Sequence, residues 1–292
     1  MAAMPLPESL HIGPALAAVS STTTPRGAHA LDPHVAFASL AEIASTFHQP
    51  LKPEIAALYA RKAAANPRLL FTALLGRRFT HDRLLDPAAI AAWKAGLVPL
   101  LRARRLGALI LQFPWAFRFT AENRAFLIEL RRAFREFPLA AEFRHDSWLG
   151  EEARGTLIDY HLAFVNVDLP QSFRATPPTA LLTSGLAVVR LHGRSGPAAG
   201  RYLYSLDELE DWLPRIRRLA GHASRTLVVT ANPGPDQALV NALQLQEMLG
   251  AAPLLAPAPL IRRYPAELAA FRANRPVQTT FLRDDLPTRA VA

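Results

Sequence analysis

Three consecutive stretches decide the fold: Ala108-Leu109-Ile110-Leu111-Gln112, then Ala121–Phe137, then Leu139-Ala140-Ala141-Glu142-Phe143. The outer two are short β-prone apolar runs. The middle one has helical apolar spacing and is opened by Thr120 with Glu122 and Asn123, a good helix start. Strand, helix, strand in that order is a βα repeat around a parallel sheet. Working outward, the same alternation continues in both directions. Further strands are expected at Leu10–Gly13, Leu40–Ile43, Leu69–Leu75, Ala163–Asp168, Leu186–Leu191 and Thr226–Ala231. Further helices are expected at Pro53–Asn66, Pro87–Arg104, Glu151–Tyr160, Asp207–Ala220 and Asp236–Leu249. Ser20–Thr24 reads as loop, and the Pro-rich connection Leu169–Gly185 shows no helix.

Eight strands with helices between them in roughly 240 residues match a closed (β/α)8 barrel of the TIM type, an α/β fold in a single domain. A doubly wound open sheet is the rival, but it more usually has fewer strands. The expected organisation is a leader over residues 1–9 and the barrel over 10–250. A short helix near Pro265–Asn274 and a tail then fill 251–292.

Composition narrows the chemistry. The absence of cysteine excludes a disulfide framework, a thiolate metal site and a cysteine nucleophile. The longest apolar stretches, Leu106–Phe117 and Ala251–Ile261, are about half the roughly 20 residues of a spanning helix. Glu8 and His11 stand where a signal peptide needs a basic start and an apolar run, so a cytoplasmic protein is expected. The 33 Lys+Arg against 24 Asp+Glu give a formal charge of +9, nearly all of it arginine, since only Lys52, Lys62 and Lys94 are lysines. Arginines on solvated helix faces account for such a balance, and a field that attracts nucleic acid or phosphorylated ligands is the alternative.

In a barrel of this kind, chemistry sits at the carboxyl ends of the strands. Those ends here are polar: Glu42, Gln112, Glu142 with Arg144, Asp168, Arg190 with His192 and Arg194, and Asn232. Side chains two apart on a strand share a face, so Glu142 lies with Arg144 and Arg190 with His192. Burying such groups is costly unless they are paired, which points to mutual salt bridges or to a functional pocket.

The segments carrying these residues also have a familiar order. Ala41-Glu42-Ile43-Ala44-Ser45-Thr46-Phe47-His48, Thr80-His81-Asp82-Arg83-Leu84 and Leu111-Gln112-Phe113-Pro114 come first. Glu142-Phe143-Arg144-His145-Asp146-Ser147-Trp148, Val189-Arg190-Leu191-His192-Gly193-Arg194 and Asn241-Ala242-Leu243-Gln244-Leu245 follow. Together, from about Leu10 to Leu249, they resemble the YecE-like family, domain of unknown function seventy-two. The resemblance implies a TIM-type barrel and assigns no activity. The chain departs from the family pattern at several rim positions. Gly13-Pro14-Ala15-Leu16 replaces a Thr-Ser-Gly-Trp stretch, Ala44 an Asn, His48 a Tyr, Leu74 a Lys and Ala231 the first Asn of a pair.

Four chemistries fit the rim. Glu42 and Glu142 could act as a glycosidase pair. His81, Glu142, Asp168, His192 and Glu42 are suitable metal ligands, although no tight motif joins them and Arg144 and Arg190 would repel a dication. Arg144, Arg190 and Arg194 with the turn Gly193-Arg194-Ser195-Gly196 suit a phosphate. Trp115 and Trp148, with His48 and Gln112, could form a platform for a base or sugar, or a packed lid. The leading expectation is a phosphate-bearing ligand, nucleotide or nucleic acid, with phosphodiester hydrolysis. Arg144, Arg190 and Arg194 then bind the anion, and His192 with Glu142 and Glu42 handles protons. His81, Gln112, Asp168, Trp148, Asn232, His48 and Trp115 complete the expected contacts. A non-catalytic binding barrel and a two-carboxylate glycoside hydrolase are the alternatives. No metal is assigned, and cofactor and oligomeric state are left open.

Overall fold

A computed structural model of the chain describes residues 6–16, 31–170, 174–195, 200–234, 236–251 and 254–273. Eight strands form its centre: β1 (Leu10–Pro14), β2 (Leu40–Ile43), β3 (Leu70–Leu74), β4 (Leu106–Gln112), β5 (Leu139–Glu142), β6 (Ala163–Asp168), β7 (Leu186–Leu191) and β8 (Arg225–Thr230). All neighbours are parallel, in the order β1-β8-β7-β6-β5-β4-β3-β2. The ends of that series meet at a narrow seam, where Ala15 bridges Glu42 and the Ser39 N–H donates to the Ile12 carbonyl at 3.1 Å. The result is a nearly closed barrel, as the alternation implied.

The period of two explains how the barrel fills. Ala108 and Ile110 of β4 point inward with Leu40, Val165, Val188 and Val229, while Leu109 and Leu111 point outward against the helices. Helices α1 (Asp32–Phe37), α2 (Pro53–Lys62), α3 (Arg77–Thr80), α4 (Pro87–Arg102), α5 (Ala121–Ala133) and α6 (Glu151–Asp159) surround the first half. α7 (Leu206–Glu210), α8 (Leu213–His222) and α9 (Gln237–Met248) complete the ring. Their starts follow local chemistry: the Asp86 side chain accepts from the Ala89 N–H, Thr120 from that of Asn123, and Ser205 forms a capping box with Glu208.

Two expectations need correction. The stretch Asp207–Ala220 is two helices, because Pro214 lacks an N–H and its ring would clash with the Glu210 carbonyl four residues earlier. The C-terminal helix is α10 (Ala258–Arg263), not a segment from Pro265, where turns follow instead. Pro257 and Pro259 occupy its cap and first turn, positions that need no intrahelical N–H. His11 is buried on β1, with Nδ1 on the Arg68 carbonyl at 2.9 Å. The short strands β9 (Leu255–Ala256) and β10 (Arg272–Ala273) pair with each other. Leu260, Leu268 and Phe271 pack on Leu239 and Leu243 of α9. Among the described residues, no helix is long and apolar enough to cross a membrane. The loop Ser20–Thr24, Gly196 and most of the tail lie outside the described residues.

Candidate functional site

At the carboxyl end of the barrel one guanidinium organises its neighbours. Arg190, near the end of β7, donates through Nη2 to Glu42 Oε1 of β2 at 2.7 Å and through Nη1 to Gln112 Oε1 of β4 at 3.0 Å. The same Nη1 also donates to Glu142 Oε2 of β5. Glu42, Glu142 and Arg190 are all buried, at 1%, 0% and 2% exposure. Above them His192 Nε2 stands 3.2 Å from the Glu142 carboxylate, and Arg144 Nη2 approaches the same carboxylate at 3.7 Å. Six predicted site residues from four strands therefore share one cluster, because the inward-facing positions near the strand ends fall at one level.

The charges set one another. Burial alone would raise the Glu142 carboxyl, but Arg190, His192 and Arg144 overcome that and hold it far below the ordinary carboxylate range. Burial would lower Arg190, and the two carboxylates reverse this, so it stays charged. For His192 desolvation wins over the attraction of Glu142 and lowers its pKa, so the ring is neutral at pH 7. The tautomer that satisfies Glu142 carries its proton on Nε2. Among the described residues Nδ1 then has no hydrogen-bond partner.

Around this cluster the mouth is uneven. His81 is half-buried and held neutral by desolvation and by Arg77 and Arg144. Its ring meets Phe47 edge-on at 5.3 Å, as does that of exposed His48. Ala44, Phe47, Leu74 and Ala231 form an apolar wall continuous with the barrel interior. Trp115, 38% exposed, lies on the lip with its ring 5.0 Å from His145 and the Arg118 guanidinium 4.9 Å from its centre.

Other expected residues do not reach the mouth. Trp148 is fully buried in a stack with Phe143 (3.9 Å) and Phe117 (5.5 Å), and its Nε1 donates to the Phe117 carbonyl at 2.7 Å. It is core, not a platform. Trp148→Phe, which removes that donor and leaves a buried carbonyl unpaired, is expected to cost about 1–3 kcal/mol in urea unfolding. Asn232 is also buried, donating to the Tyr202 carbonyl at 2.6 Å and to Asn241 at 3.0 Å. Asp168 is buried against Arg194 Nε at 3.0 Å and Trp212 Nε1 at 3.1 Å. Arg194 further pairs with Glu208 and Asp211, so its guanidinium is an anchor for the loop rather than a free anion donor. Sequence reading missed the partners on that side. Tyr204 accepts from the Gly193 N–H at 2.7 Å, and Tyr202 donates to Glu208, which with burial pushes its pKa up to about 12. The visible signal was the capping pair Ser205 and Glu208.

This geometry weighs on the chemistries. Both carboxylates grip Arg190, and Glu142 is shifted in the wrong direction for the proton-holding acid of a glycosidase. Among the described residues, no three His, Asp or Glu side chains are arranged to hold a metal ion. A family model described as "Protein of unknown function DUF72" matches residues 18–263. The chain belongs to the DUF72 family. The UPF0759 protein YunF of Bacillus subtilis (strain 168) is 28% identical over 181 residues, which span 54% of this chain and 63% of that protein. A crystal structure of a DUF72 family protein from Enterococcus faecalis V583 superposes with a TM-score of 0.73 at 22% identity. That match covers 83% of this chain and 98% of the other. Another, from Thermotoga maritima MSB8, gives 0.70 at 27% identity, covering 82% and 98%. This DUF72 barrel shares its fold with those proteins over most of its length. Its apolar wall of Ala44, Leu74 and Ala231 sits at the carboxyl end of that fold.

Proposed function

We propose that the barrel mouth binds a small phosphate-bearing ligand of the nucleotide class, with Arg144 meeting the anion and His192 exchanging a proton. One observation carries this reading. The Glu142 carboxylate, locked beneath by Arg190, orients His192 through Nε2 and stands beside Arg144, whose side chain is 38% exposed. An anion donor and a proton acceptor thus share one fixed support. Arg190 and Arg194 serve as internal counter-ions here and not as phosphate ligands. Trp115 on the lip supplies an aromatic face for a base. With a phosphodiester, a water proton passes to His192 Nδ1 while the water oxygen attacks phosphorus. The leaving oxygen then takes its proton back from the imidazolium.

The pH dependence follows from the lowered pKa of His192. Turnover that needs the neutral ring is complete above that pKa and is lost as pH falls through it, below the ordinary value of 6.5. Calorimetric titration of a nucleoside monophosphate into wild type and Arg144→Ala tests the binding step, with about tenfold or greater weakening expected. His192→Asn is expected to slow hydrolysis of bis(4-nitrophenyl) phosphate by about 10²–10⁴ and to abolish the acid limb. Unchanged binding in Arg144→Ala removes the reading. Binding without turnover favours the second one, a non-catalytic barrel, which the apolar wall of Ala44, Leu74 and Ala231 supports.

A further inference from the structure

Charge is not shared equally between the two ends of the barrel. At the carboxyl end most of the described arginines have acidic partners, Arg77 with Asp82 at 3.6 Å, Arg83 with Glu122 at 3.0 Å, Arg174 with Asp146 at 3.0 Å and Arg194 with Asp168 at 3.0 Å, and the exposed Arg118 and Arg201 are exceptions. At the opposite end each helix returns to the next strand. There Arg102, Arg104, Arg132, Arg135, Arg218 and Arg225 are exposed, and among the described residues none of the six forms an ion pair. Of the acidic residues nearby, Glu136 is already held by Lys94 at 2.7 Å, and Asp159 closes α6. Among the described residues, six arginines without an ion pair therefore face solvent at the amino-terminal end.

Helix dipoles account for only part of this. They favour cations in the last turn and fade beyond it, which suits Arg102 and Arg132 but not Arg218, which precedes the last turn of α8. Arg104, Arg135 and Arg225 lie outside the helices. Arg104 even takes φ 55, a backbone conformation in which glycine is the low-cost residue. Grooves separate the arginines. A cavity of about 500 Å3 between α5 and α6 is lined by Arg131, Arg132, Arg135, Asp159, Tyr160 and His161. Its wall is fixed by Arg131, whose Nε donates to the Tyr160 carbonyl at 2.9 Å. Arg218 with His222, and Arg61 with Lys62, line two further grooves at the same end.

Exposed, hydrated guanidiniums hold a single small anion weakly, because water and salt screen each one. A chain of regularly spaced phosphates is different, since every contact releases counter-ions and the contacts add. A lipid surface would call for exposed apolar side chains among the cations. Ile158 is the one large exposed apolar residue described at this end. We propose that the amino-terminal face of the barrel binds the phosphate backbone of nucleic acid without reading its sequence, through Arg132 and Arg135 at the Tyr160 groove and Arg102 and Arg104 at the end of α4. This face is separate from the mouth and does not depend on what the mouth binds.

The test is fluorescence anisotropy of the full chain with labelled single-stranded and duplex DNA across a salt series. Binding to either form that weakens linearly in log salt is expected. Arg132→Ser with Arg135→Ser should lower the salt slope by about 1.5–2 and weaken low-salt binding by about tenfold or more. Arg102→Ser with Arg104→Ser should do the same, and Arg144→Ala at the mouth should change neither quantity. All three variants keep their circular dichroism, since the changed side chains are at least partly exposed. Wild-type affinity in both double variants overturns the proposal. So does a loss confined to Arg144→Ala, binding that ignores salt, or binding to phosphatidylserine vesicles with none to DNA.

Discussion

Arg190→Met is expected to lower the unfolding free energy by about 3–5 kcal/mol, the cost of leaving buried charge without its partner. Nη2 holds Glu42 at 2.7 Å, and Nη1 holds Glu142 and Gln112, the latter at 3.0 Å. Without the guanidinium, two carboxylates with 0–1% exposure face one another across the barrel. The sign of the pH dependence then reverses. In the wild type Glu142 is depressed below 4.5, so its contribution is complete above that value and is lost as pH falls toward the folded value. Wild-type stability contributed by this group is therefore flat between about pH 5 and 8. In Arg190→Met the largest opposing charge is gone and only His192 and Arg144 still act against burial, so the carboxyl rises, the folded state binds the extra proton and the variant gains stability as pH falls. Guanidinium unfolding at the two pH values reads this directly. Equal midpoints for the variant at both would refute the account. If Arg190→Met does not fold, the double variant with Glu142→Gln, which removes the stranded charge, is expected to recover part of the loss. Arg190→Lys should rescue less, because one ammonium cannot span both carboxylates as a planar fork does.

This cluster also marks how far the sequence could be read. Strand positions were legible because a parallel barrel strand is apolar on both faces, and the runs at Leu40–Ile43, Ala163–Asp168 and Leu186–Leu191 end where the strands end. The period of two then placed Glu142 with Arg144 and Arg190 with His192. What periodicity could not give was pairing across the barrel. Arg190 meets Glu42 from 148 positions away, and nothing local distinguishes a guanidinium aimed at a ligand from one enclosed by carboxylates. Trp148 failed for the same reason. Its place just after a strand end suggested the mouth, while the outward parity of Phe143 and the Phe117 carbonyl drew it into the core. Asp168 and Asn232 are strand-end residues of the right type whose partners come from the α7–α8 region and α9, respectively. Parity fixes a side chain's face; only tertiary contacts fix what it touches.

Gly13→Ala is expected to destabilise the chain by more than about 4 kcal/mol, at the severe end for a single substitution. A Cβ at this position would lie 1.7 Å from the Leu40 carbonyl oxygen and 2.6 Å from its carbon. Those are backbone atoms of a strand already laddered to β3, so relief requires β2 to move away from β1. The seam between these strands is the weakest in the barrel. It rests on the Ala15–Glu42 bridge, the Ser39 N–H to Ile12 at 3.1 Å, and the Ser39 hydroxyl accepting from the Ile12 N–H at 2.9 Å. Shifting β2 also displaces Glu42, two residues beyond Leu40, from Arg190, so closure of the barrel and neutrality of the site fail together. Gly155→Ala provides the contrast. It lies within α6, no atom stands within 4 Å of its added Cβ, and alanine there is expected to stabilise by about 0.5–1 kcal/mol. Thermal melts of the two variants should move in opposite directions. A Gly13→Ala protein melting with the wild type would show that β1 and β2 are not held at this separation, and the placement of Glu42 beside Arg190 would lose its structural cause.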